Sequence, residues 1–182
     1  MKFKFTFILV ICSFLFTSKA FTADTKALTS LYKSGYNSMY QPRYCGRNIE
    51  GFLKEAKKRN IDLSNSYVLN IEGGGFLETS GFYTRGKKGE RANLGYFHII
   101  LLADDMIYDF DMDSPKVLTL NNYVDLQFRP PFEPFKVFGI DYTKNGNPGS
   151  WSVEVFDLQD YARGIETTLH KGRLKDFIKN YK

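Results

Sequence analysis

The spacing of apolar and polar positions changes character near Asn60. Across 46–59, Ile49, Phe52, Leu53 and Ala56 recur at i, i+3, i+4 and i+7, while Glu50, Lys54, Lys57 and Lys58 fall on the other side. That spacing predicts an amphipathic helix with one buried face. Residues 24–44, rich in Tyr, Ser and Lys, predict a short helix followed by a loop, and Gln41-Pro42 discourages helix just before Cys45. Cys45 is therefore expected at or just before the first turn of the amphipathic helix. Beyond Asn60 the pattern predicts strands: 67–71, ended by Gly73-Gly74-Gly75, then the apolar run 96–102. Asp104-Asp105 predict a turn, and 106–110 a returning hairpin strand. Residues 119–128 predict a short helix, and Pro130, Pro131 and Pro134 a breaker-rich loop. A second strand pair, 135–142 with 151–156, is expected across Asn145-Gly146-Asn147-Pro148-Gly149, followed by a polar helical tail over 169–181. Helix first and a mainly antiparallel sheet afterwards make the expected class α+β. No β-α-β alternation, internal repeat or low-complexity segment is visible.

Residues 1–20 read as a secretory signal: Lys2 and Lys4, an apolar stretch from Phe5 to Phe16, then Ser18 and Ala20 placed for cleavage after Ala20. The apolar stretch is shorter than the roughly 20 residues of a bilayer-spanning helix, so no stable membrane anchor is expected. The remaining 21–182 is read as a single catalytic domain, periplasmic or secreted. Its charge is modest. The chain carries 25 Lys+Arg against 20 Asp+Glu, and loss of Lys2, Lys4 and Lys19 leaves 22 against 20, or +2. A nucleic-acid partner thereby loses its electrostatic support. Cys12 is lost with the signal, which leaves Cys45 as the sole mature cysteine. Two cysteines and two histidines, with no Cys pair beside a His, exclude a disulfide-dense scaffold and a zinc finger. No glycine-rich phosphate-binding run is present. The chain is expected to be a monomer.

Three positions converge on one chemistry. A helix N-terminus stabilises negative charge, which suits a nucleophilic sulfur at Cys45. His98 lies in a strand whose apolar neighbours predict burial. If Asp104-Asp105 form the tip, residues whose numbers sum to about 209 face each other, bringing Asp109 or Asp111 near His98. Thiolate, imidazole and carboxylate are the parts of nucleophilic acyl transfer: attack on a carbonyl carbon, protonation of the leaving amine, and orientation of the ring. Backbone N–H groups beside Cys45, with Gln41 as a candidate side chain, would stabilise the oxyanion. Each residue also has an ordinary reading: Cys45 as a buried small hydrophobe, His98 as a satisfied core histidine, the aspartates as strand-end carboxylates. His98, Asp109 and Asp111 offer metal donors without a metal-specific spacing, so no metal is expected. The second histidine, His170, sits in a polar C-terminal setting and is a poor partner for the thiol.

Tyr44-Cys45-Gly46-Arg47-Asn48, His98-Ile99-Ile100-Leu101-Leu102 and Tyr108-Asp109-Phe110-Asp111 together resemble the Tyr-Cys-x-x-Asn, His-Val-Val-Leu-Leu and Tyr-Asp-Leu-Asp motifs of the protein N-terminal glutamine amidohydrolases. The likeness spans roughly residues 40–125, with a weaker echo at Trp151. It implies a papain/transglutaminase-like sandwich, Cys45 as nucleophile, His98 as base and acid, Asp109 as orienting carboxylate, and no cofactor. The implied substrate is a peptide or protein bearing glutamine, N-terminal or internal, deamidated through a thioester. Two features depart from the family: Gly95-Tyr96-Phe97 stands where it carries Trp-Asp-Tyr, and the chain is expected to carry an export signal although the family is typically intracellular. The alternatives are a papain-like cysteine peptidase or transglutaminase on the same triad, and a non-catalytic secreted binding domain.

Overall fold

The computed structural model describes residues 22–72, 78–79, 85, 92–93, 97–128, 136–137, 140–141 and 152–181. The expected signal segment, Gly73-Gly74-Gly75, the 129–135 loop and Trp151 lie outside these residues. Helix α1 (Thr25–Gly35) begins where the Asp24 carboxylate accepts the Ala27 N–H at 2.9 Å, an N-cap that satisfies an otherwise unpaired donor. Helix α2 (Cys45–Lys58) buries the predicted face of Ile49, Phe52, Leu53 and Ala56, together with Asn48. Lys57 and Lys58 in its last turn complement the negative end of the helix.

Strands β1 (Ser66–Glu72), β4 (Phe97–Ala103), β5 (Met106–Tyr108), β6 (Leu118–Thr119), β9 (Ser152–Phe156) and β10 (Thr168–Arg173) form one sheet in the order β10-β9-β1-β4-β5-β6. Every pairing in it is antiparallel. Helices α3 (Leu120–Phe128), α4 (Leu158–Tyr161) and α5 (Leu174–Asn180) complete the architecture. Two small ribbons, β2 (Glu78–Thr79) with β3 (Ala92–Asn93) and β7 (Lys136–Val137) with β8 (Ile140–Asp141), stand apart from the main sheet.

The core divides by sheet face. Val68, Ile99, Leu101 and Tyr108 pack with Leu28, Tyr32, Phe52 and Leu53 of α1 and α2. Leu69, Ile71, Ile100, Leu102 and Ile107 pack on the opposite face with Tyr123 of α3 and Leu174 of α5. Burial on both faces explains why 99–102 reads as a continuous apolar run rather than an alternating one. The fold is α+β with a mainly antiparallel sheet, and α2, which carries Cys45, packs on β4.

Two expectations are corrected. Strand β9 pairs with β1 and β10 and not with 135–142, which instead holds the β7–β8 ribbon. The tail is not helical throughout: β10 precedes α5. Edge strand β10 is largely solvent-exposed, so no apolar alternation marks it. Among the described residues, no helix is long and apolar enough to cross a membrane.

Candidate active site

Cys45 is the first residue of α2, and the turn before it sets its place. The Tyr44 N–H donates to the Gln41 carbonyl at 3.3 Å, with Pro42 second in the turn and Arg43 third at φ 66°. That is the pattern of a type II turn, whose third position favours glycine. The turn is braced at its first residue by Asn48. Its buried side chain accepts the Gln41 N–H at 2.8 Å and donates to the Gln41 carbonyl at 3.1 Å. The helix thus folds its own fourth residue back onto the turn that presents its first.

The hairpin supplies the partners. Leu101, Leu102 and Ala103 pair with Tyr108, Ile107 and Met106, and each pair of numbers sums to 209, the predicted register. Pairing between the two strands stops at Tyr108, short of the predicted end at 110. Beyond it, side-chain contacts hold the chain. Tyr32 Oη donates to the Asp109 carbonyl and Tyr36 Oη to the Met112 carbonyl. The Asp109 carboxylate accepts the Asp111 N–H on Oδ1 and the Tyr123 hydroxyl on Oδ2, both at 2.8 Å. The same carboxylate meets His98, with Oδ1 3.1 Å from Nε2. Nε2 makes no hydrogen bond, and the contact becomes an ion pair when the ring is protonated. His98 and Asp109 side chains are only 1% and 3% exposed. On the other side of the ring, Asp111 Oδ2 lies 4.0 Å from Nδ1.

These groups set one another's charge. Burial pulls the His98 pKa down, but the Asp109 carboxylate, followed by Cys45, outweighs it, and the net shift is well above the ordinary imidazole value. Burial pushes Asp109 up, yet His98 and the donors from Asp111 and Tyr123 bring it below the usual carboxylate range. The ionised pair is therefore the favoured state of this buried site. Asp111 is raised by burial and by the Asp109 charge, against the lowering effects of His98, the Tyr40 hydroxyl and Arg85. The Arg85 guanidinium stacks 4.3 Å from the Tyr36 ring and 3.9 Å from the Tyr40 ring, and its backbone N–H donates to the Asp111 carbonyl at 2.7 Å. Arg85 opens the basic stretch Arg85-Gly86-Lys87-Lys88-Gly89-Glu90-Arg91, which by composition reads as a solvated loop or as a rim of the site; the neighbours of Arg85 lie outside the described residues.

A cleft of about 360 Å³ opens beside Cys45, lined also by Phe97, Ile99, Arg47 and Tyr161. His98 does not line it. Half-buried Cys45 borders the cleft directly, while His98, 1% exposed, lies behind its wall. His98, Asp109 and Asp111 place their donor atoms within 4.8 Å of one another, a grouping able to hold a cation. Both Asp109 oxygens already accept internal donors, however, and the ionised imidazole supplies the counter-charge. His170 is remote in role as well as in sequence: it is exposed on β10 and stacks on Phe177. Sequence reasoning did not single out Tyr32, Tyr36, Tyr123 or Tyr161. Aromatic content alone marked them as core, and nothing local signals which hydroxyls point at the site. A scan against protein-family models and a search of curated proteins found no match.

Proposed function

We propose that this protein is an exported, cysteine-dependent amidohydrolase that converts glutamine side-chain amides, N-terminal or internal, in peptides or proteins to glutamate. The observation that carries the reading is Cys45 at the start of α2, beside a cleft and near enough to His98 to help raise its pKa, with that imidazole set against the buried Asp109 carboxylate. The motif order and the α+β architecture also suit the papain/transglutaminase-like sandwich of the N-terminal glutamine amidohydrolases.

In this reading Asp109 holds the ring through Nε2 and leaves Nδ1 for the reaction. The Cys45 sulfur attacks the side-chain amide carbon, and the carbonyl π electrons move onto oxygen. The tetrahedral intermediate collapses, the C–N bond breaks, and the His98 imidazolium gives its proton to the departing nitrogen, which leaves as ammonia. Neutral His98 then takes a proton from water as its oxygen attacks the thioester. Collapse of that second intermediate releases glutamate, and the thiolate–imidazolium pair is restored. Every proton is supplied by the ring or by water, so the cycle calls for no cofactor.

The test mixes purified protein with glutamine-starting and internal-glutamine peptides, measures ammonia, and maps alkylation of Cys45. Ammonia from either peptide, abolished by Cys45→Ala, supports the proposal. No ammonia from either, with no labelling at Cys45, rejects it.

A further inference from the structure

The cleft holds a hydroxyl that the reaction as written does not use. Tyr161 ends α4, a short helix started by Asp157, whose carboxylate accepts the Asp160 N–H at 2.9 Å. Its ring stacks on Phe156, with centroids 5.7 Å apart and planes at 17°, which fixes the direction of the phenol. A Cβ added to Gly46 would lie 2.8 Å from the Tyr161 oxygen. The phenol oxygen therefore overlies the residue that follows the nucleophile, at the end of α2 where the first-turn N–H groups have no intrahelical acceptor. Tyr161 and Cys45 line the same cleft. Gln41, one candidate side chain for the oxyanion alongside others left open by the sequence, does not line it, and its backbone is committed to Asn48. Among the described residues the Tyr161 hydroxyl has no hydrogen-bond partner.

We infer that Tyr161 is a catalytic residue whose hydroxyl, with the Cys45 backbone N–H, donates a hydrogen bond to the oxyanion formed when the sulfur adds to a substrate carbonyl. A donor must keep its proton during the reaction. Burial first, then the neighbouring Cys45, raises the Tyr161 pKa far above neutrality, so the phenol keeps its proton. Gly46 fits the same role, because any side chain there displaces the phenol oxygen.

The inference rests on Cys45 adding to a carbonyl, so its test separates that step from glutamine turnover. Three readouts compare wild type with Tyr161→Phe, which keeps the ring and removes the hydroxyl. They are kcat and KM on a glutamine peptide, the affinity of a peptide aldehyde that forms a thiohemiacetal on Cys45, and the alkylation rate with iodoacetamide. Alkylation displaces iodide at a saturated carbon and creates no oxyanion. The expected result is a fall of about 100-fold in kcat with KM little changed, as for loss of one oxyanion donor. Aldehyde affinity falls in parallel and the alkylation rate is unchanged. Gly46→Ala reproduces the loss in wild type and adds little in the Tyr161→Phe background. An aldehyde that wild type fails to bind, or that binds Tyr161→Phe within twofold of wild type, overturns the inference. A wild type inactive on glutamine, with aldehyde affinity still lost in Tyr161→Phe, rejects the glutamine reading and leaves the role of Tyr161 standing.

Discussion

The two ends of the β4–β5 hairpin are built differently. At the turn end, Leu101–Ala103 and Met106–Tyr108 are joined by backbone pairing in the predicted register, and Leu102 and Ile107 are buried in apolar surroundings. At the other end the pairing has stopped. His98 and Asp109 meet there through a buried ion pair, and tyrosines from α1 and α3 hold the chain carrying Asp109. The first end is stabilised by non-directional burial and tolerates adjustment. The second is polar, almost water-free and fully directional, so the loss of one partner leaves another charge or donor without compensation. Continued pairing would set Asp111 opposite His98; with pairing ended at Tyr108, Asp109 makes the closer contact, 3.1 Å against 4.0 Å for Asp111.

Breaking the polar end is expected to have the largest effect. Asp109→Ala leaves the buried His98 charge with only the more distant Asp111 carboxylate, 4.0 Å away, and removes the acceptor of the Tyr123 hydroxyl and the Asp111 N–H. We expect a stability loss of about 3–5 kcal/mol by urea unfolding, together with loss of turnover. The pH dependence sharpens the same point. His98 is raised above its ordinary 6.5, so its stabilising contribution is complete below that pH and is lost as pH climbs through the raised value. Asp109 is lowered below its ordinary 3.8, so its contribution is complete above that pH and is lost as pH falls through the lowered value. The stability advantage of wild type over His98→Gln should be full between these two ordinary values and decline at alkaline pH. An advantage that stays constant into the alkaline range contradicts the ion pair.

Breaking the apolar end should separate stability from chemistry. Leu102→Ala removes a fully buried side chain at the turn end. It is expected to cost about 2–5 kcal/mol while leaving kcat of the folded fraction within about twofold. A large fall in kcat would show that the two ends are not independent. The smallest effect is expected from Tyr32→Phe, which removes the hydroxyl that holds the Asp109 carbonyl. A stability loss of about 0.5–1.5 kcal/mol in urea unfolding is expected, with a measurable drop in kcat because Asp109 is less well held. Unchanged kcat would reduce Tyr32 to packing.

The same contrast decides what the sequence could disclose. The buried face of α2 follows from spacing within fourteen residues, and the hairpin register from one turn signal. Cys45, His98 and Asp109 stand out in the sequence as candidates because few residue types carry nucleophilic or acid–base chemistry and motif order relates them. The end of pairing at Tyr108 is not legible, because its replacements come from Tyr32 and Tyr36, more than seventy residues earlier in the chain. Asn48 lies inside the resembling motif, but its clamp on Gln41 needs the turn conformation to be known. Strand β9 looked like the partner of its nearest upstream strand signal, and it chose β1 instead, some eighty residues away. Long-range pairing of that kind leaves no local mark.

The most direct measurement is the intact mass of a glutamine-containing peptide after incubation with wild type and with Cys45→Ala. The account predicts a gain of about 1 Da in the peptide with wild type, as hydrolysis of an acyl-enzyme replaces NH₂ by OH, and no change with Cys45→Ala. A cleaved peptide, an unchanged peptide with wild type, or an equal gain with Cys45→Ala would contradict it.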